Sequence, residues 1–371
     1  MTVVGLQWVQ STDTYSCPAA DSIGSLTPAT RIAACNSIDP WMSMVRCNLW
    51  DTGVQTASYG ARCYTDTDVA NMGQAMVKIK KFWYGTDFTV AGTYKWYISS
   101  TGADSLPANV GAWKVHPAFV RNGVTKSQIY LGAYEGYYDG VSKLESVSGV
   151  TPTATQTIAT FRTQAEARGT GWEICDYLTN CALQLLYLVE YGTFYAYSAL
   201  GHGICSDSAA HNTGETAAHG NASYGSIANQ TTAMSYRGVE NWYGNLDTIL
   251  DGINFQADYK VWVADHSFAT NWMAFGAPYV NTALVTVTAG DTYGADITTN
   301  TTYDYGFIIG ATAGAAISTD ICSRWTVAAG NRVFVVGSQY NSGSAGGAAF
   351  SGFPALYDSV TGPSARLMYI G

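Results

Sequence analysis

The sequence predicts an α+β fold with two helices, a small mixed or antiparallel sheet and a large share of irregular loop. Three observations predict it. Short runs such as Gln74 to Lys81 alternate apolar and polar residues, which marks half-buried strands. Two stretches, 158–165 and 174–188, instead carry apolar residues at helical spacing. Between such runs lie long segments rich in Gly, Ser and Asn, above all 200–234 and 337–352.

The totals support a core-forming chain. Its 371 residues suffice for two or three domains, or for one large domain with insertions. Apolar residues make up 47% and charged residues only 12%, which excludes a disordered chain. The 39 Gly, 26 Tyr and 11 Trp, set in so little charge, suit a polar-aromatic surface such as an interface or an adhesin. A net charge of −9, with no basic cluster denser than Lys78-Ile79-Lys80-Lys81, argues against a nucleic-acid partner. No apolar run approaches the roughly 18 residues of a membrane span, so no insertion is expected. Met1 to Gly5 lacks the basic stretch and apolar core of a secretory signal.

Eight cysteines (Cys17, Cys35, Cys47, Cys63, Cys175, Cys181, Cys205 and Cys322) contain no C-x-x-C pair, which weakens a zinc reading. Four fall within the first 63 residues, where one or two disulfides fit the spacing. Cys175 and Cys181 should share a helix, roughly 9 Å of rise apart and beyond each other's reach. Without an export signal, free buried thiols are the favoured state.

Residues 1–72 read as a loop-rich N-terminal module, with a short apolar island at Met42 to Cys47. Residues 73–371 read as one ligand-display domain. Its strands begin at Gln74 to Lys81, which runs into Phe82-Trp83-Tyr84, and continue at Thr93–Ser99 and Ile129–Tyr134. Asn122-Gly123 marks a turn. The first helix places Ile158, Phe161 and Ala165 on one face, with Gly169 as its expected cap. The second has an apolar stripe of Ile174, Tyr177, Leu178, Cys181, Leu185 and Leu188 and should end at Gly192. That stripe reads as core and suggests no cofactor.

Beyond the 200–234 loop, Asp247 to Asn254 reads as a helix with its exit turn. Asp258 to Asp265 alternates as a strand around Trp262. The Thr-rich stretch 283–305, with a central Gly-Asp, suggests a hairpin-like insertion. Short strands are expected at 306–310 and 323–327, and a buried one at Arg332–Val336. A surface stretch of Gly, Ser, Asn, Tyr and Phe then runs from Gly337 to Phe353. Small residues there tolerate unusual backbone conformations, while Tyr and Phe offer rigid contact area. Arg366 to Ile370 closes as a strand.

Four segments arrive in one order: Phe82-Trp83-Tyr84; the helix pair around Ala167-Arg168-Gly169-Thr170-Gly171-Trp172; Tyr236-Arg237-Gly238-Val239-Glu240-Asn241-Trp242-Tyr243-Gly244-Asn245; and the Gly-rich stretch closing on Ala365-Arg366-Leu367. Together they resemble the C-type-lectin-fold proteins of phages and other viruses that share the formylglycine-generating-enzyme architecture. Nearest in kind are the variable receptor-binding proteins of diversity-generating retroelements. The resemblance spans roughly residues 40–371.

The resemblance implies a C-type lectin fold that presents its C-terminal segment to a host cell-surface protein or another macromolecule. It also implies a place on the virion tail or surface, with a homo-oligomer or attachment to the virion as the form of display. Carried over by position, Gly337, Gly343, Gly346, Arg366 and Leu367 would be framework. The ligand-facing set would be Ser338, Gln339, Tyr340, Asn341, Ser344, Ala348, Ala349, Ser351, Phe353, Leu356 and Tyr357, with Tyr340, Phe353 and Tyr357 as anchors. Trp242 would pack beneath that face.

Two alternatives stay open. One is a structural tail or capsid component without a receptor. The other is an oxidase of the same architecture, which needs a thiol pair near the C-terminus; only Cys322 lies beyond Cys205. Among the five histidines, no His-x-x-x-His helix pattern occurs, and His211 and His219 lie eight apart in a Gly- and Ala-rich loop. No cofactor is expected. The resemblance admits a structural calcium, for which Asp247, Asp251 and Asn254 have suitable oxygens, with helix capping as the competing role. The Glu-Pro-Asn and Gln-Pro-Asp triplets of calcium-dependent sugar binding are absent.

Overall fold

The computed structural model describes residues 2–58, 73–256, 258–268, 276–286, 292–313, 322–325, 332–343, 350, 352–355 and 362–371. Side chains are not described at 56–58, 292, 313, 322–325, 332 and 352–355.

Alternation becomes sheet where expected. Gln74–Lys80 is buried except at Lys78 and Lys80, which flank the buried Ile79. It lies inside a six-stranded antiparallel sheet ordered Trp172–Ile174, Leu367–Tyr369, Gln128–Gly132, Gln74–Lys80, Val45–Leu49, Gln55–Ser58. A five-stranded antiparallel sheet is ordered Thr14–Ser16, Val3–Val9, Thr93–Ser99, Trp83–Asp87, Lys114–Val115. Val3–Val9 pairs along its whole length with Thr93–Ser99, and Val45–Leu49 pairs with Gln74–Lys80. The described part of residues 1–72 is therefore woven into the sheets of the later chain and forms no module of its own. Its polar loops hide this in the sequence, because the partners of its short strands lie tens of residues away.

An eight-stranded sheet completes the architecture. Its order is Val280–Val285, Lys260–Val263, Thr248–Phe255, Arg332–Val336, Gly352–Ala355, Cys322–Trp325, Thr292–Thr298, Ile308–Ala313. Only the Cys322–Trp325 pairing with Gly352–Ala355 is parallel.

Two expectations fail in this sheet. Thr248–Phe255 is a strand, not a helix, and all eight of its residues are buried. A strand covered on both faces needs no alternation, so apolar residues three or four apart suit either element. Nor is 283–305 a hairpin, because Val280–Val285 and Thr292–Thr298 sit toward opposite ends of the sheet. Side-chain bonds draw those ends together: Asn300 Nδ2 donates to Thr282 O and Thr286 Oγ1 to Ile309 O, both at 2.8 Å.

Four α-helices are described. Helix α1 (Pro28–Cys35) begins on a proline, which has no N–H to leave unpaired in a first turn. Helix α2 (Ile158–Glu166) is capped by Thr157 Oγ1, which accepts from Thr160 N. It ends at Ala167, short of the expected Gly169.

Helix α3 (Tyr177–Tyr191) starts where Asp176 accepts from Thr179 N at 2.7 Å, and stops as expected at Gly192, whose φ of 69° suits glycine. All of its side chains are buried, and it packs against α1, Val3–Val9, Thr93–Ser99 and Thr248–Phe255. Ile174 and Cys175 precede it: Ile174 ends a strand, and Cys175 N donates to Arg366 O. Cys175 and Cys181 thus do not share the helix. Helix α4 (Ala196–Ala199) is a single turn.

The main core is aromatic. Phe194 meets Trp8 at 5.0 Å, Phe350 at 4.9 Å and Phe307 at 6.0 Å between ring centroids. Burying each such ring contributes on the order of 2 kcal/mol before packing geometry is added. Phe350 falls within the stretch expected at the surface, yet it is 2% exposed and belongs to this core. An aromatic in a Gly-rich run can serve as contact or as plug, and composition does not tell which.

Among the described side chains, those of Cys17, Cys35, Cys47, Cys175, Cys181 and Cys205 are not joined in disulfides. Burial pushes Cys35 and Cys47 up to about 12, which keeps them protonated and unreactive. Cys63 and the Cys322 side chain lie outside the described residues. Among the described residues no helix is long and apolar enough to cross a membrane.

Candidate functional site

The turn around Tyr340 is built over a buried carboxyl group, that of Glu135. Glu135 is 1% exposed and accepts three N–H groups: Asn241 Nδ2 at 3.0 Å, Asn245 Nδ2 at 2.7 Å and Leu246 N at 3.0 Å. Burial pushes its carboxyl up to about 7, opposed by Arg366 and the two Asn amides. Arg366, 2% exposed, approaches the same segment through its carbonyls. It donates to Glu240 O at 2.7 Å, Asn241 O at 2.9 Å and Gly132 O at 3.0 Å. A guanidinium offers five donors in a fixed planar fork, so it can satisfy several carbonyls in different directions at once. Residues 240–246 are thereby gripped by their donors and by their acceptors.

From this base Asn245 reaches outward. Its φ of 67° lies in the left-handed region that Asn tolerates better than most residues. Its carbonyl accepts from Tyr340 N at 2.8 Å, and its side chain accepts from His211 N at 2.7 Å and donates to His211 O at 3.1 Å. Asp207 N then donates to Tyr340 O at 2.7 Å, and Gly343 N to Cys205 O at 2.6 Å. Within the turn, Gln339 N donates to Ser342 Oγ at 2.9 Å. Gly337 and Gly343, at φ 93° and 62°, supply the bends on either side.

Gln339 and Tyr340 line an open cleft of about 490 Å³. Gly362 lies beside them, and the opposite wall comes from Thr151, Pro152, Ala154 and Thr155, with Ser208 to Ala210 and Leu246. A Cβ on Gly362 would stand 2.5 Å from Gln339 Nε2, so glycine there makes room for that amide. Among the described residues, no ionisable group except the Tyr340 phenol lines the cleft. A charged trio stands next to it: His211 bonds Asp207 at 2.9 Å and Glu215 at 2.8 Å. The described lining offers one aromatic ring and neutral hydrogen-bonding groups, and Ser208 Oγ donates to Asp207 Oδ1 at 3.3 Å beside it.

The structure sorts the expected ligand-facing residues as follows. Asn341 is exposed, and Gln339 and Tyr340 are half-buried at the cleft. Ser338 departs from expectation: it is 4% exposed, and among the described residues its Oγ has no hydrogen-bond partner. It faces inward because Gly337 turns the chain before it, and a small hydroxyl is readily covered. The backbone of Phe353 pairs with Val335 inside the eight-stranded sheet, while its side chain is outside the description. Ser344, Ala348, Ala349, Ser351, Leu356 and Tyr357 lie outside the described residues, as does Gly346.

Trp242 is buried, donates to Asn180 Oδ1 at 3.1 Å and packs on Tyr236 and Tyr187, as expected of a supporting residue. Asp251 is taken as a calcium ligand by neither geometry nor charge, since both its oxygens accept from Arg162 at 2.6 Å. With Asp247 just before the strand and Asn254 within it, the helix-and-turn cluster expected from the sequence does not form. Among the described residues no group of three or more His, Cys, Asp or Glu is arranged to hold a metal. His219 stacks on Tyr224 at 3.5 Å and so does not join His211.

Sequence reasoning missed Glu135 and the whole opposite wall. A lone Glu in the aromatic run Tyr134-Glu135-Gly136-Tyr137 was the one available signal for the former. The wall had none, because its segments lie far from Tyr340 along the chain.

No protein-family model matches this chain, and no curated protein matches it.

Proposed function

We propose that this chain is a ligand-binding protein of a virus or phage surface, an adhesin whose display face is the turn around Tyr340 on a C-type-lectin-type scaffold. The observation that carries this reading is the way the turn is held. Three of its main-chain groups (Tyr340 N, Tyr340 O and Gly343 N) are bonded by partners from 205–207 and Asn245, while Gln339 and Tyr340 border an open cleft. A preorganised backbone loses little freedom on binding, so aromatic and polar side chains upon it convert contact area into affinity. The antiparallel sheet that incorporates Leu367–Tyr369, together with the helices α2 and α3, supports the scaffold assignment; the eight-stranded sheet is additional to it. On a virion, many copies would raise a weak single contact to firm attachment.

Tyr340→Ala tests the reading. Loss of a central aromatic anchor should weaken attachment of the purified chain to host cells by roughly 30-fold, the equivalent of about 2 kcal/mol. Its melting temperature should stay close to that of the parent. Attachment that survives the change in a folded variant would instead favour a structural tail or capsid component.

A further inference from the structure

A second cleft, of about 610 Å³, opens where the five-stranded sheet and the 109–112 segment meet residues 299–304. It shares no lining residue with the display cleft. At its wall stands Asp304, 4% exposed, which accepts from Tyr84 Oη at 2.8 Å, from Lys114 Nζ at 2.5 Å and from Thr86 Oγ1. Lys114 also lies over the Tyr84 ring, 5.1 Å from its centroid. Next to it Asp87 is bonded by Lys95 at 2.7 Å and by Asn109 Nδ2 at 3.2 Å.

These pairings decide the kind of ligand. Among the described residues, each cation in or beside the cleft is matched by a carboxylate already in contact with it, so they offer an incoming ion no uncompensated charge. A phosphate or carboxylate ligand would have to compete with Asp304 for Lys114, and an ammonium would have to compete with Lys114 for Asp304. What remains is the Thr299 and Thr301 hydroxyls, together with the acceptor oxygens of Thr89 and Asn109, whose Oγ1 and Nδ2 already donate to Asp87, beside the apolar faces of Phe88 and Val110. Hydroxyls facing hydroxyls, with apolar patches between, complement a molecule that itself alternates C–H faces with hydroxyl groups. Convergent polar groups in a cleft of this size are the usual marks of a small-molecule site. We propose that this cleft binds a neutral sugar unit, independently of the display turn and without a metal ion.

An array of neutral, sialylated and sulfated glycans, probed with the full chain, tests this first. Neutral glycans should be retained. The best of them is then titrated against the parent chain, Phe88→Ala, the double variant Thr299→Val/Thr301→Val, and Tyr340→Ala. The Thr→Val pair preserves side-chain shape at positions where no buried contact is lost, so it keeps the test meaningful if Phe88→Ala does not fold. Loss of the rim hydroxyls should weaken binding by about ten-fold or more, while Tyr340→Ala leaves it unchanged. Retention of no neutral glycan, retention of anionic glycans alone, or equal binding by the parent and the double Thr variant would overturn the proposal. Failure here would leave the display turn untouched, since that reading is tested by Tyr340→Ala on host cells.

Discussion

His211 stands between two carboxylates, with Nε2 2.9 Å from Asp207 and Nδ1 2.8 Å from Glu215. Only the imidazolium carries a proton on both nitrogens; a neutral ring leaves one carboxylate facing a lone pair. Burial works against the charged ring, but the bonds and charges of Asp207 and Glu215 outweigh it and raise the pKa above 6.5. A raised folded-state value means that the bridge's stabilisation is fully present below pH ~6.5 and is lost as pH rises through the higher folded value. Other groups near this loop are Glu240, which binds Gly214 N and Thr216 N, and the Asn245 amide. Because Asp207 N donates to Tyr340 O, the bridge bears on the turn around Tyr340. Amide exchange at 205–215 should therefore be slower at pH 5.5 than at pH 8.5 after correction for intrinsic rates, and His211→Gln should remove the difference. A pH difference of the same size in that variant would show that another group controls the loop.

At the scale of elements, the Arg162–Asp251 pair fixes α2 to the Thr248–Phe255 strand. Both residues are buried, at 7% and 1% exposure, and the contact is bidentate. Removing one member leaves a charge in a dry place, which costs more than the pair itself is worth. Arg162→Met should lower unfolding stability by about 3–5 kcal/mol, measured by guanidinium titration, and adding Asp251→Leu should restore part of it. A single variant as stable as the parent would mean that water reaches Asp251.

Such pairings also explain what could be read from the sequence. Gln74–Lys80, Thr93–Ser99, Arg332–Val336 and α3 were legible because their cues are local: alternation, an apolar run or stripe, and Gly192. Thr248–Phe255 was not, since burial on both faces erases alternation. The strands in 283–305 were visible as Thr-rich runs, but their partners were not. In the candidate site, Gly337 and Gly343 announced the bends. Ser338 gave no sign of facing inward, and nothing near Tyr340 pointed to Glu135 or the 205–211 wall.

For the whole molecule, the early strands matter most. Trp8 is fully buried beside Tyr94 and Phe194, on a strand paired with Thr93–Ser99. If residues 1–72 were a separate module, damage there would spare the rest. The place of residues 2–58 in the shared sheets and core instead makes it global. Trp8→Ala should destabilise the chain by about 3–5 kcal/mol and move the far- and near-ultraviolet unfolding transitions together. Two separated transitions, with only one displaced, would contradict a shared core.

The grip on Tyr340 asks for an amide and a carbonyl, and for nothing beyond Cα. Every amino acid except proline brings both, so the chemical identity at this position is decoupled from the shape of the turn. Exchanging the residue there would alter the side chain presented while leaving the mould that holds it intact. Inherited or engineered change could thus accumulate at the rim, with proline as the one forbidden letter.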